Sequence, residues 1–285
     1  MSSDSRFKEM LSRGKLIVAP GAYDALTAKL IEGAGFEALY MTGYGTAASR
    51  FGFPDIGLLT MTEMLMNARA IADAVQIPLI ADADTGYGNP INMIRTVREY
   101  ERAGAAAIHV EDQVWPKRCG HMSGKQVIPK NEMVAKIRAA VDSRKSDGFI
   151  IIARCDALAV EGWDAAIERG HSYEEAGADV IFIEAPESVE QMSRIPKLFK
   201  KPCLINMAPR TPSLPAKTLE EFGFAIAIYP GICLATTIQT NMDCLRKFKE
   251  EGTPPDFGGF LAAFIQFNQF LGVPEYNALE EKYKS

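Results

Sequence analysis

IPLIADADTGYGNPINMIRTVREYERAGAAAIHVED, residues 77–112, holds one complete structural unit and decides the fold. Residues 77–84 form an apolar run closing on two acids, and residues 105–112 form a second. Runs of Val, Ile, Leu and Ala without polar alternation predict strands buried on both faces. Between them Pro90 suits the first turn of a helix, and Gly104, after the helix-like YERA, supplies the left-handed turn that ends one. Strands joined through a helix run parallel. Working outward, runs of the same character occupy 15–20, 36–41, 149–154, 179–185, 203–207 and 224–230, and Gly35, Gly177 and Gly223 also close helix-like stretches. Eight βα units predict an α/β chain folded as a (β/α)8 TIM barrel. A doubly wound open sheet is disfavoured, because eight strands are counted and no GxGxxG follows the first.

The 285 residues suit a single barrel domain, 1–285, with 254–285 as a C-terminal helical arm. In that arm Phe260, Phe264, Phe267 and Phe270 share one helical face, which packs either on its own barrel or on a neighbouring subunit. Charge is mixed in sign, 31 Lys+Arg against 36 Asp+Glu with no basic block, which argues against nucleic acid or a membrane surface as partner. No apolar run approaches the roughly 18 residues of a membrane span. The start, MSSDSRFKEMLSRGK, lacks the layout of a secretory leader, so a cytoplasmic location is expected. The five cysteines are scattered without CxxC spacing, against a disulfide scaffold or a zinc cluster.

Parallel barrels build their sites at the C-terminal ends of the strands. Here those ends carry Tyr40 and Thr42, Asp82 and Asp84, His109, Glu111 and Asp112, Arg154, Glu184, and Asn206. Asp82 and Asp84, two apart on an extended strand, point the same way, and Glu111 ends the next strand. Three acids in one small volume call for a cation, and hard oxygen donors without Cys/His pairs favour Mg²⁺ or Mn²⁺. The alternative is that these acids cap helices or pair with Arg154. The glycines of TGYG, from Thr42 through Gly43 and Tyr44, allow backbone N–H groups to grip a carboxylate, or simply turn the chain. His109 reads equally as an interior histidine or a substrate contact. In PKRCGH, Cys119 stands beside Lys117, Arg118 and His121, whose positive charge is expected to stabilise a thiolate for acid/base work. The alternative there is a solvated basic loop with an incidental thiol.

These residues, with PGAYDAL, YMTGYG, FPDIG, DADTGYG, HVEDQ, KRCGH, IAR and FNQFLGVPE, give a chain that resembles the isocitrate lyase and phosphoenolpyruvate mutase superfamily over nearly its whole length, in particular its short lyase branch. The resemblance implies Mg²⁺ held directly by Asp84 and largely through water by Asp55, Asp82 and Glu111. It implies a homotetramer whose last helix is exchanged between subunits. It makes Cys119 a proton donor on a mobile loop, with Lys117 and His121 beside it in catalysis and Arg118 and Gly120 near the substrate. Thr42, Gly43 and Tyr44 would hold the carboxylate of the 2-oxo acid half, with Arg154, Glu184 and Asn206 as further contacts and Tyr40 assisting hydroxyl deprotonation.

The activity implied is Mg²⁺-dependent cleavage of a 2-hydroxy di- or tricarboxylate to a 2-oxo acid and a carboxylate. Carboxyphosphonoenolpyruvate phosphonomutase, oxaloacetate hydrolase and a catalytically silent binding barrel are the alternatives. Pro230 stands where the oxaloacetate-hydrolysing members resemble one another in having Ser, which favours the lyases. The stretch 207–211 after Asn206 is shorter than the family's and lacks its Glu, Cys155 replaces a usual Thr, and Arg210 is available to a distal carboxylate or phosphonate.

Overall fold

The computed structural model describes residues 2–255 and 260–284, the side chains of 260–262 excepted. Eight parallel strands close into a barrel in sequence order: β1 (Ile17–Ala22), β2 (Leu39–Met41), β3 (Leu79–Asp82), β4 (Ala107–Glu111), β5 (Ile150–Cys155), β6 (Val180–Ile183), β7 (Cys203–Asn206) and β8 (Ile226–Tyr229). The expected (β/α)8 architecture is therefore present. Most strands are shorter than their apolar runs, whose outer residues lie outside the ladder. The first strand lies two residues later than expected. It continues through Pro20 and Gly21 because Pro20 still pairs with Tyr229 and Gly21 with Tyr40, so ladder partners override the local turn residues.

Helices between strands begin and end on the residues that local chemistry favours. Asp24 caps Ala25–Gly33 by accepting from the Thr27 N–H, Thr60 and Glu63 form a capping box on Met61–Ala74, and Pro90 opens Pro90–Arg102 behind its Asn89 cap. Gly35, Gly104, Gly177 and Gly223, which close helices as expected, all have positive φ, from 88° to 103°.

Alternation along the strands sorts side chains into two layers. Ile80, Ala107, Ile150, Ile152, Val180, Phe182, Leu204 and Ile228 fill the barrel interior, and Phe7 and Met10 of the helix Ser3–Ser12 pack with them. The other parity, including Leu79, Ala81, Ile108, Val110, Ile151, Ile181 and Ile205, packs outward on Met64, Met93, Tyr100, Ile137, Tyr173 and Met192. Continuing the inward parity gives Asp82, His109, Glu111, Arg154, Glu184 and Asn206, so the period that builds the core also delivers polar groups to the mouth.

The chain divides into two compact units, Met1–Ala235, which contains the barrel, and Thr236–Ser285. The division falls inside the helix Ile232–Glu251, upstream of the expected start of the arm at 254. Within the second unit lie the helices Phe260–Phe270 and Val273–Tyr283. Phe264, Phe267 and Phe270 are exposed. The Phe260 side chain and residues 256–259 and 285 of the expected arm lie outside the described residues.

Candidate active site

Asp82 ends β3 and is held by three donors: its Oδ2 accepts from Tyr40 Oη (3.3 Å) and the Gly43 N–H (3.2 Å), and its Oδ1 from the Asp84 N–H (2.9 Å). A Cβ on Gly43 would lie 2.4 Å from Asp82 Oδ2, so only glycine lets the TGYG turn come this close. The grip expected for a substrate carboxylate is thus directed at Asp82, while Thr42 caps the short helix Gly43–Thr46 by accepting from the Gly45 N–H and Tyr44 is exposed at the rim. Asp84 lies past the strand at φ 47°, a left-handed conformation rare for a residue with a side chain, so the DAD pair is not a plain extended stretch, although both carboxylates are buried at the mouth within reach of the Lys117 charge.

Lys117 is buried, and its Nζ lies 2.6 Å from Asp55 Oδ1 and 2.9 Å from Asp84 Oδ1. Burial works against its charge, but Asp84, Asp55, Glu111 and Asp82 hold the ammonium protonated well above the ordinary lysine range. Across the mouth Arg154 spans Asp156 (Nε–Oδ2 2.8 Å, Nη2–Oδ1 3.1 Å), Glu111 (3.1 Å) and Glu184 (3.6 Å). Asn206 donates to Glu184 Oε1 at 3.0 Å. Burial lifts Asp84 to about 6 and Glu111 well above the carboxylate range. It pushes His109 down to about 4, so its imidazole is neutral, with Nε2 2.7 Å from Tyr40 Oη. The Tyr40 phenol is pushed well above 10, chiefly by burial. A phenol held protonated in this way is a poor base, which counts against the expected part in hydroxyl deprotonation.

The loop that carries Cys119 is docked over this floor. The Cys119 N–H donates to the Asp55 carbonyl at 3.0 Å, and His121 Nε2 lies 3.2 Å from Glu184 Oε1 while its Nδ1 accepts from the Arg210 N–H at 3.1 Å. The Arg118 side chain is exposed, its backbone held by Gln113 at both N–H and carbonyl. Gly120 abuts the site: a Cβ there would lie 2.2 Å from Glu184 Oε1 and 2.4 Å from Arg154 Nη2. The expected thiolate is corrected. Burial raises the Cys119 pKa despite Lys117 and Arg154 nearby, because Lys117 turns to Asp55 and Asp84 and Arg118 turns to solvent. A thiol that keeps its proton is a better acid than base. Arg210 contributes its amide here, while its side chain is exposed, and Pro230 lies half-buried with its carbonyl against Gly21.

Two buried groups escaped the sequence reading. Asp156 follows Arg154 by two, a spacing that pointed to it, and Lys125 gave no signal beyond lying in the same loop as Cys119. Lys125 Nζ lies 2.8 Å from Asp156 Oδ1.

The donor set fits a hard cation. Six buried carboxylates at the mouth, Asp55, Asp82, Asp84, Glu111, Asp156 and Glu184, face three buried cations, Lys117, Lys125 and Arg154. Asp84 Oδ1 and both oxygens of Glu111 lack a hydrogen bond, since the nearby Lys117 and Arg154 nitrogens are not aligned to donate to them. Buried carboxyl oxygens left without donors suit a divalent ion. Among the described residues no three carboxylate, imidazole or thiol groups are arranged to hold one ion directly. The three acids expected to share one volume would therefore act partly through water, as Mg²⁺ commonly allows. A void of about 10 Å³ lined by Gly43, Asp55, Asp84 and Lys117 is the size of one water.

The fold and this mouth define an enzyme built on a (β/α)8 barrel, with acid and base groups gathered under a closed loop. The profile of the Phosphoenolpyruvate phosphomutase family matches residues 7–249. A 2,3-dimethylmalate lyase of Eubacterium barkeri is 48% identical over 99% of this chain and 99% of its own length. A 2-methylisocitrate lyase of Aeropyrum pernix is 42% identical over 94% of this chain and 87% of its own. A phosphonopyruvate hydrolase solved with oxalate and Mg++ superposes with a TM-score of 0.92 at 31% identity, each chain covered in full (100%). The chain belongs to the phosphoenolpyruvate mutase/isocitrate lyase superfamily, and within it is a carbon–carbon lyase.

Proposed function

We propose that this lyase cleaves a 2-hydroxy di- or tricarboxylate of the 2-alkylmalate or 2-methylisocitrate type into a 2-oxo acid such as pyruvate and a carboxylate, with Mg²⁺ as its ion and Mn²⁺ as a substitute. The observation that carries this reading is the Cys119 loop docked over carboxylates whose oxygens lack donors. Asp84 and Glu111, with Asp55 and Asp82, would hold the ion. Once bound, it would acidify the hydroxyl of a 2-hydroxy acid and draw off charge as the carbon–carbon bond breaks.

The chain's own groups supply the rest. Arg154, fixed by Asp156, offers a guanidinium to a carboxylate, and Asn206 and His121 line the same wall beside Glu184. Tyr44 stands at the rim with Thr42 and Gly43 buried beneath it, where they would meet the 2-oxo acid half, and Arg118 and Gly120 belong to the closing loop. Tyr40, protonated, fixes Asp82 and His109, and the hydroxyl proton would pass instead to a carboxylate of the mouth, Glu111 or Asp84, whose proton affinity burial raises. Cys119 Sγ delivers its proton to the carbanion carbon released by cleavage. The docked loop shuts water out and shields that carbanion from side reactions. Pro230, in place of Ser, favours the lyase over oxaloacetate hydrolysis.

We read the second unit as an assembly surface: Met242, Leu245, Phe248, Phe264, Phe267 and Phe270 are exposed, and a homotetramer exchanging this helical arm would cover them. Light scattering after gel filtration tests that. No helix among the described residues is long and apolar enough to cross a membrane, and work in the cytoplasm on a small carboxylate fits the mixed surface charge. The test of the reaction is a panel of 2-alkylmalates, isocitrate and 2-methylisocitrate with purified protein and Mg²⁺, read by 2-oxo acid release. Release from none of them overturns the proposal, and a product with a new P–C bond in phosphorus NMR, when carboxyphosphonoenolpyruvate is supplied in their place, would select the phosphonomutase instead.

A further inference from the structure

The chain from 113 to 127 is pinched at its base. Gln113 pairs with Val127 in an antiparallel bridge, the Val114 N–H donates to the Gln126 carbonyl at 2.8 Å, and the Ile128 N–H to the Asp112 carbonyl at 2.8 Å. Everything between these stems is a loop whose tip carries Cys119 and Gly120. Lys125 lies next to the second stem, yet its side chain is buried. Its Nζ donates to the Gly120 carbonyl at 2.5 Å and to Asp156 Oδ1 at 2.8 Å. Asp156 in turn takes two bonds from Arg154, and its own N–H donates to Asp112 Oδ1 at 2.7 Å.

We propose that Lys125 is a positioning residue for the lyase reaction: its ammonium clasps the Gly120 carbonyl to Asp156, and so fixes together the docked Cys119 and the plane of the Arg154 guanidinium. This rests on the reading of Cys119 as proton donor. A buried ammonium is costly to desolvate, which directs attention to what its bonds hold together. Here both acceptors lie on parts that must meet for catalysis, the loop tip and the end of β5. Opening the loop must break the Gly120 bond, whereas Lys125, beside the stem, can keep Asp156. The clasp therefore reports loop closure to Arg154 directly, without a contact to substrate.

The test compares Lys125→Met, which keeps the length and loses the donors, with Lys125→Arg, which restores them. Amide exchange read by mass spectrometry should show the amides of Arg118, Cys119 and Met122 exchanging at least about 10-fold faster in Lys125→Met while the barrel strands keep their protection. In the same variant kcat should fall about 100-fold with KM changed little, since the loss is one of alignment. Lys125→Arg should recover most of both. Unchanged loop protection in Lys125→Met, or protection lost equally across the barrel strands, overturns the proposal. The exchange readout needs no substrate, so it decides the clasp even if the enzyme releases no 2-oxo acid from the panel above.

Discussion

Lys117 Nζ sits 2.6 Å from Asp55 Oδ1 and 2.9 Å from Asp84 Oδ1, which puts a loop ammonium between two carboxylates held by the barrel mouth. The contact joins the lid to the expected ion site through a hydrogen bond at Asp55 and by charge at Asp84, where the ammonium is not aligned to donate. Metal affinity and loop position are consequently read from the same atoms.

Asp84→Asn should show this at the metal. Asn tolerates the left-handed backbone at φ 47° as well as Asp does, so the fold is kept while one anionic donor is lost. Mn²⁺ affinity of the EDTA-stripped protein, measured by electron paramagnetic resonance of the free ion, should fall at least ~10-fold, the scale seen when support of a metal site is removed. Equal affinity in the two proteins would remove Asp84 from the ion site.

Cys119 should behave as a reluctant thiol. Its raised pKa means a smaller thiolate fraction than free cysteine at any pH below that value. Alkylation of Cys119 by iodoacetamide, followed by peptide mapping in EDTA, should be slower than for free cysteine at pH 8 and still climb beyond pH 9, the ordinary thiol value. Cys119→Ser should lower turnover by about 10²–10⁴-fold, the usual worth of a general acid, with Mn²⁺ binding intact. Fast alkylation at neutral pH would restore the thiolate picture.

The contrast between sequence and structure at this loop has a physical cause. The eight strands were legible because burial on both faces leaves an apolar run in the chain itself, and the mouth residues followed because strand parity is fixed by geometry. Direction is not written locally in a loop. Lys117, Arg118 and His121 are neighbours of Cys119 in sequence, but one turns to Asp55, one to solvent and one to Glu184. Lys125 finds Asp156 31 positions away, a pairing that only the closed barrel creates. Asp84 shows the same limit at a strand end, where the backbone turns left-handed two residues after the strand stops.

The opposite end of the barrel should separate stability from catalysis. Phe7 is fully buried with Ile17, Ile150 and Ile226, the residues that begin their strands or lie next to that beginning. Phe7→Ala should cost about 3–5 kcal/mol of unfolding free energy, read from urea denaturation, because it opens a cavity in an apolar layer. Its kcat at 25 °C should stay near the parent value, since conserving the mouth requires only that the barrel remain closed. A large fall in kcat with unchanged stability would contradict this division.

Gly120→Ala makes the sharpest demand on the lid. The added methyl would meet Glu184 Oε1 at 2.2 Å and Arg154 Nη2 at 2.4 Å, both buried and both tied by further bonds, so neither can retreat cheaply. The backbone at Gly120 has no positive φ, so alanine is free to adopt its conformation and the open loop is not strained. The substitution therefore acts on closure alone. Unfolding free energy should change by less than about 1 kcal/mol, as for a surface substitution, because the loop tip can lift away. Turnover should fall about 100-fold or more, the cost of displacing a reacting group by roughly an ångström. Protection of the Cys119 amide, which donates to the Asp55 carbonyl only when the loop is down, should fall in parallel. An alanine variant with parent turnover would mean that chemistry proceeds without the Gly120 backbone against Arg154, and the docked lid would not be the catalytic state.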